Sequence, residues 1–193
     1  MECFRKLKLD LPEDHKIFKE FKDFDYGQVE VKNKAYDKTK TFKQFHLPKD
    51  YFAGTALQTV MNDLNLHASI FLIEGFHFYN WHRDAWRNIT FNLTLNNDSD
   101  YLVLFAPEAN PNEPTAAMMY ERYVELQYDD RKFVLLNTQV PHLTITKGPI
   151  NRYLLTIAHY SGEPTKSLKK QPCDFSEYEQ TITYLAEHNL LEN

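Results

Sequence analysis

The chain has 193 residues, 42% of them hydrophobic, 25% charged and 15% aromatic, with a formal net charge of −5 at pH 7. That length suits a single domain over residues 1–193, large enough to bury a core, and the acidic balance argues against sequence-independent nucleic-acid binding. No apolar run reaches transmembrane length, the opening MECFRKLKLD lacks a signal-peptide core, and Cys3 and Cys173 are too few for a disulfide framework, so a cytoplasmic protein without a membrane partner is expected.

Pro12 fits the first position of a helix, with Glu13 and Asp14 complementing the dipole. Ile17, Phe18, Phe21 and Phe24 then recur at helical spacing, and Gly27 closes the segment. Residues 31–50 are locally basic, through Lys32, Lys34, Lys38, Lys40, Lys43 and Lys49; they read as a solvated face or as a patch for an anionic partner. A second helix is expected over 49–64, with Phe52, Ala56, Leu57, Val60, Met61 and Leu64 turned inward. Residues 1–68 therefore read as a helical flanking region.

Residues 69–160 read as the core of a barrel. Its β-rich runs are 69–78, 86–95, 101–105, 119–128, 132–136 and 152–160, separated by turn-rich breaks. The run 107–115 reads as a surface loop or a lid. Many short strands without intervening helices predict a mainly β (α+β) fold, an antiparallel sandwich or barrel with helices packed outside. Over 161–193, Ser176 with Glu179 reads as a capping box that opens a C-terminal helix through Tyr178, Ile182 and Leu185.

In the run 86–95, Thr90, Asn92 and Thr94 alternate with Ile89, Phe91, Leu93 and Leu95. A period of two sends the polar set to one face. That face lines a polar site or, more ordinarily, meets water.

His82-Arg83-Asp84, then Pro141-His142, then Arg152 carry the chemistry. His82 and Asp84, two apart on extended chain, reach the same side. With the distant His142 they form a 2-His-1-carboxylate set, which suits non-haem Fe(II) and leaves positions open for a co-substrate and O2. In a double-stranded β-helix, the jelly-roll or cupin-like barrel, these strand ends meet at one mouth. A catalytic zinc set of the same three ligands stays open, although no helical HExxH accompanies it.

The stretch from Tyr79 through His82, Asp84, Arg87, Asn92 and Thr94 to Asn96 resembles the central motif of Fe(II)/2-oxoglutarate-dependent dioxygenases, nearest to the prolyl-hydroxylase branch. Pro141-His142 and Arg152-Tyr-Leu-Leu-Thr156-Ile157 resemble the family's second conserved segments. The resemblance implies iron bound by His82, Asp84 and His142, and the far carboxylate of 2-oxoglutarate held bidentately by Arg152. Thr94 stands where that branch places a Tyr hydroxyl against the same carboxylate. Tyr79 and Asn92 fall near the co-substrate or serve in ordinary packing. Ala158 occupies the position of the second Arg of nucleic-acid repair members, which with the net charge of −5 argues against that role.

The reaction so implied is hydroxylation of a C–H bond in a prolyl residue, amino acid or small metabolite, with release of succinate and CO2. A cupin-like metal- or ligand-binding protein without turnover is the alternative.

Overall fold

The computed structural model describes residues 1–33, 38–84, 87–98, 100–109, 120, 122–159 and 175–192, with backbone alone for 29–33 and 38–42. The chain opens with β1 (Phe4–Asp10), α1 (Ile17–Glu20), the hairpin β2 (Gly27–Asn33) and β3 (Lys38–His46), and α2 (Ala56–Asp63). It continues through β4 (His67–Ile73), β5 (Phe78–His82), β6 (Ile89–Thr94), β7 (Tyr101–Phe105) and β8 (Val124–Glu125). β9 (Lys132–Asn137), β10 (His142–Thr146), β11 (Arg152–Ala158) and α3 (Ser176–Glu187) complete it.

One sheet has seven strands in the order β1-β9-β6-β11-β4-β3-β2, the other four in the order β5-β10-β7-β8. Strand pairs nest: β4 with β11, β5 with β10, β6 with β9, and β7 with β8, all antiparallel. The chain therefore folds as one long hairpin whose paired strands alternate between sheets. That winding is the double-stranded β-helix, or jelly roll.

Cross-strand partners share a face of a sheet. Leu93 opposite Leu155, and Phe91 opposite Ile157 and Leu135, put one face of the large sheet under the helices. There they join Leu7, Ile17, Phe52, Leu57, Val60, Tyr178 and Leu185 in the larger core. Asn92 opposite Thr156 and Val134, and Thr94 opposite Leu154, take the other face, toward the small sheet. All six residues of β6 are buried, so the polar row lies inside the barrel. The expectation of a face in water fails because a second sheet covers it.

The flanking regions depart further from expectation. Residues 1–68 are not mainly helical: β1, β2 and β3 extend the large sheet. Of the helix expected from Pro12 to Gly27 only α1 forms, and Lys16 provides no side-chain cap for it. Its aromatics still serve the core, Phe21 edge-on to Tyr153 at 4.9 Å and Phe24 stacked on Phe45 at 4.5 Å. The second helix starts late, where the Thr55 hydroxyl accepts from the Gln58 N–H at 3.2 Å. Residues before it turn through Tyr51 N–H to Pro48 O and Ala53 N–H to Asp50 O.

The run 69–78 is broken between β4 and β5 by Gly75 and by Phe76, whose φ is 55°. A Cβ on Gly75 would lie 2.5 Å from the Pro149 carbonyl carbon, so only glycine lets these two turns pack. Among the described residues of the run 119–128 only β8 is strand; Met119 and Glu121 lie outside them. Residues 110–115 of the expected lid lie outside them too. α3 forms as expected, although Phe175 is its N-cap and makes no side-chain cap, so the capping box is absent. Lys43 pairs with Glu74 at 3.0 Å on the surface. No helix among the described residues is long and apolar enough to cross a membrane.

Candidate metal centre

His82 ends β5, and His142 begins β10 directly opposite it in register. The imidazoles therefore stand side by side on one face, ring centroids 4.2 Å apart. Asp84 follows two residues later in the connection to β6, so the triplet closes one strand rather than opening the next. Alternation along a strand no longer places its carboxylate; backbone pins do. The Asp84 N–H donates to Thr138 O at 3.1 Å and the Thr138 N–H to Asn88 O at 3.1 Å. The Gln139 amide donates to Asp84 O at 3.1 Å, and the Thr138 hydroxyl to Arg87 O. These contacts bring Asp84 Oδ1 to 3.6 Å from His82 Nε2 and 3.9 Å from His142 Nε2. The three ligand atoms lie within 4.8 Å of one another.

The histidine tautomers follow from their neighbours. His82 Nδ1 lies 2.8 Å from Asn80 O, and His142 Nδ1 3.0 Å from Val140 O. A carbonyl only accepts, so each Nδ1 carries the proton and each Nε2 offers a lone pair toward Asp84. Burial, with His142 nearby, pushes the His82 pKa well down. Burial also lowers that of His142, against the opposing pull of Asp84. Burial disfavours the Asp84 carboxylate, but Arg87 and the two histidines outweigh it and hold the pKa below the usual range. Two neutral imidazoles and one carboxylate are therefore ready at neutral pH. That donor set suits Fe(II) and leaves half of an octahedron open.

Tyr79 sits edge-on to the His82 ring, centroids 3.9 Å apart, and burial beside Asp84 raises its hydroxyl to about 12. Arg152 begins β11 with its side chain inside the barrel and is only 1% exposed. Its Nη2 donates to the Thr94 hydroxyl at 3.4 Å, and its Cζ lies 3.9 Å from the Tyr101 ring centroid and 5.1 Å from that of Tyr128. Asn92 Nδ2 donates to the Tyr128 hydroxyl at 3.4 Å. The structure thus brings Arg152, Thr94 and Asn92 together with Tyr101 and Tyr128. Those two were not legible, because they come from β7 and from the β8–β9 connection, distant in sequence.

Among the described residues no carboxylate pairs with Arg152, and its Nε has no acceptor. Cation–π contact returns about 0.5–2 kcal/mol, whereas an ion taken from water without a counter-ion costs several kcal/mol. The aromatic rings alone do not balance this charge. A carboxylate entering the barrel would. Tyr101 pairs with Thr146, four residues along β10 from His142, so roughly 13 Å of strand separates the Tyr101 end of the barrel from the ligand set. The residues fit a 2-oxo dicarboxylate with one end at the ligand set and the other at Arg152.

No family model and no curated protein matches this chain. Solved structures do. A prolyl hydroxylase from Trichoplax adhaerens, in complex with a hypoxia-inducible-factor peptide, superposes with TM-score 0.55 at 13% identity, covering 87% of each chain. An oxidoreductase of the 2OG-Fe(II) oxygenase family from Burkholderia pseudomallei gives 0.53 at 12%, covering 78% of this chain and 79% of that one. HygX from Streptomyces hygroscopicus, with nickel, 2-oxoglutarate and hygromycin B bound, gives 0.53 at 10%, covering 89% and 92%. The chain has the jelly-roll fold of the 2OG-Fe(II) oxygenases, prolyl hydroxylases among them.

Proposed function

We propose that this protein is an Fe(II)- and 2-oxoglutarate-dependent oxygenase. It converts a C–H bond, 2-oxoglutarate and O2 to an alcohol, succinate and CO2. One observation carries the reading: a three-ligand cluster and a buried guanidinium with no carboxylate partner among the described residues occupy the same barrel.

His82 and His142 present Nε2, and Asp84 presents Oδ1, as iron ligands. Bound iron supplies the oxygen-activating chemistry. The protein's own groups do the rest. Arg87 fixes the Asp84 carboxylate through its other oxygen, 2.8 Å away. Arg152 and Thr94 anchor the far carboxylate of 2-oxoglutarate, which fixes the pose of its 2-oxo acid end. Phe105, stacked on His142 at 5.3 Å, and the buried Val103, Val134 and Leu136 make the barrel interior beside the ligand set apolar and disfavour water there.

The substrate is a prolyl residue of a peptide, an amino acid or a small metabolite, and the setting a reducing, cytoplasmic one in which the buried Cys3 thiol stays free. The Trichoplax structure holds a peptide and the HygX structure holds hygromycin B, so both a peptide and a small molecule are worth testing. Succinate release, screened across prolyl peptides, free amino acids and small metabolites, tests the proposal. His82→Ala and Asp84→Ala are expected to abolish iron binding and succinate release together. Turnover without oxygen, or unaffected by either substitution, would overturn it.

A further inference from the structure

Glu177 lies in the first turn of α3, yet its side chain is turned onto the connection that carries Asp84. Its Oε2 accepts from Asn88 Nδ2 at 2.9 Å, across 89 residues of sequence. Its other oxygen, Oε1, is buried and makes no hydrogen bond among the described residues. His159 Nε2, just past the end of β11, stands 3.8 Å from it. An acidic side chain in a first turn is favoured by the helix dipole even while it stays in water. Burying one carboxylate oxygen without a donor costs free energy, so the helix alone does not account for this placement.

From Asn88 the contact runs on to the metal ligand. The Asn88 carbonyl accepts from the Thr138 N–H at 3.1 Å, and the Thr138 carbonyl accepts from the Asp84 N–H at 3.1 Å. The Thr138 hydroxyl donates to Arg87 O, so Thr138 holds both the ligand and the guanidinium that steadies it. Three successive hydrogen bonds therefore join Glu177 to Asp84. Both supports are firm. Tyr178 and Leu185 bury one face of α3 in the larger core, and Ile89, next to Asn88, is fully inside it. Asp84 and Asn88 themselves lie between β5 and β6, outside either strand, so single hydrogen bonds rather than a ladder set their place.

We propose that Glu177 is a positioning residue for the metal centre: through Asn88 and Thr138 it sets where the Asp84 carboxylate stands, so that docking of α3 and binding of the metal reinforce each other. The inference rests on the metal-ligand reading above. The coupling is reciprocal, because a helix contact that favours the metal-ready ligand set is favoured by the metal to the same degree.

The test is Ni(II) competition against a chelator, with the full chain held well below its melting temperature. Glu177→Ala is expected to weaken Ni(II) on the order of threefold to thirtyfold, the range for a substitution that touches no ligand but lies on the path to one. Glu177→Gln loses the charge as Glu177→Ala does but keeps an oxygen for the Asn88 amide, so it should retain most of the affinity. Asn88→Ala should match Glu177→Ala, and the double variant should lose no more than either. A helix anchor with no part in the metal centre would lower the melting temperature and leave Ni(II) affinity unchanged in every variant, which would overturn the proposal. Equal losses in Glu177→Gln and Glu177→Ala, or losses that add in the double variant, would overturn it as well and leave the metal-ligand reading standing. Failure of the unsubstituted protein to bind Ni(II) would overturn both. Should the alanine variants not fold, amide hydrogen exchange of the unsubstituted protein supplies the readout. Ni(II) is expected to slow exchange at the Thr138 N–H and, in α3, at the Glu179 N–H, which bonds to Phe175 O. Slowing at Thr138 with none in α3 would overturn the coupling.

Discussion

Arg87 and Asp84 divide the work of one carboxylate. Arg87 Nη2 binds Oδ2 at 2.8 Å, which leaves Oδ1 facing both imidazoles at 3.6 and 3.9 Å. Removing the guanidinium frees the carboxylate to rotate and withdraws the charge that holds it ionised. Arg87→Ala is expected to weaken Fe(II) or Ni(II) binding roughly tenfold to a hundredfold, the usual cost of losing such a support. Arg87→Lys should recover part of this, since the charge remains and the planar fork does not. Chelator competition measures both, and unchanged affinity in Arg87→Ala would show that the support is dispensable.

Arg152 makes a prediction with opposite signs for stability and binding. Replacing an unpaired buried cation with an apolar chain of similar volume is often neutral or stabilising. Arg152→Met is therefore expected to keep or raise the melting temperature of the ligand-free protein. It should also abolish the stabilisation by 2-oxoglutarate, about 2.7 kcal/mol at a hundred times Kd. Thermal melts with and without 2-oxoglutarate decide both.

The pKa directions fix a pH dependence. His82 and His142 titrate below their ordinary value when folded, so between the folded and unfolded pKa the unfolded chain binds more protons. The stability they contribute is present above about 6.5 and is lost as pH falls toward the folded values. Asp84, also lowered, adds a second loss at more acidic pH. Melts of metal-free protein from neutral to mildly acidic pH should show the first decline, smaller in His82→Gln.

Gly75→Ala tests the far end of the barrel. The new methyl would meet the Pro149 carbonyl carbon at 2.5 Å and Gly148 O at 2.7 Å. Both belong to the connection that leads into Arg152. Overpacking of this kind costs about 1–3 kcal/mol, measurable by urea denaturation, and weaker 2-oxoglutarate binding is expected with it.

The ligand set and Arg152 were legible because each sits at a strand end with a chemically specific side chain. The strand pattern from residue 101 to 105 was legible for the same local reason. What escaped was set by pairing. Leu7 and Leu9 alternate with Lys6, Lys8 and Asp10 in β1, and Val29 and Val31 with Gln28, Glu30 and Lys32 in β2, so the period of two was present there; what it does not give is that both strands, with β3, join the large sheet. β10 carries the alternation His142, Thr144, Thr146 against Leu143 and Ile145, a local strand signal. The burial of Thr90, Asn92 and Thr94 depends on which sheet lies opposite, and periodicity says nothing about that. Tyr101 and Tyr128 meet Arg152 only across the barrel.

The most direct measurement is an anaerobic titration of the protein with Fe(II) and then 2-oxoglutarate, followed in the visible range. The account predicts one iron per chain and a weak charge-transfer band that grows with 2-oxoglutarate and is absent in His82→Ala. Stoichiometric iron with no band, or a band that survives loss of His82, would contradict it.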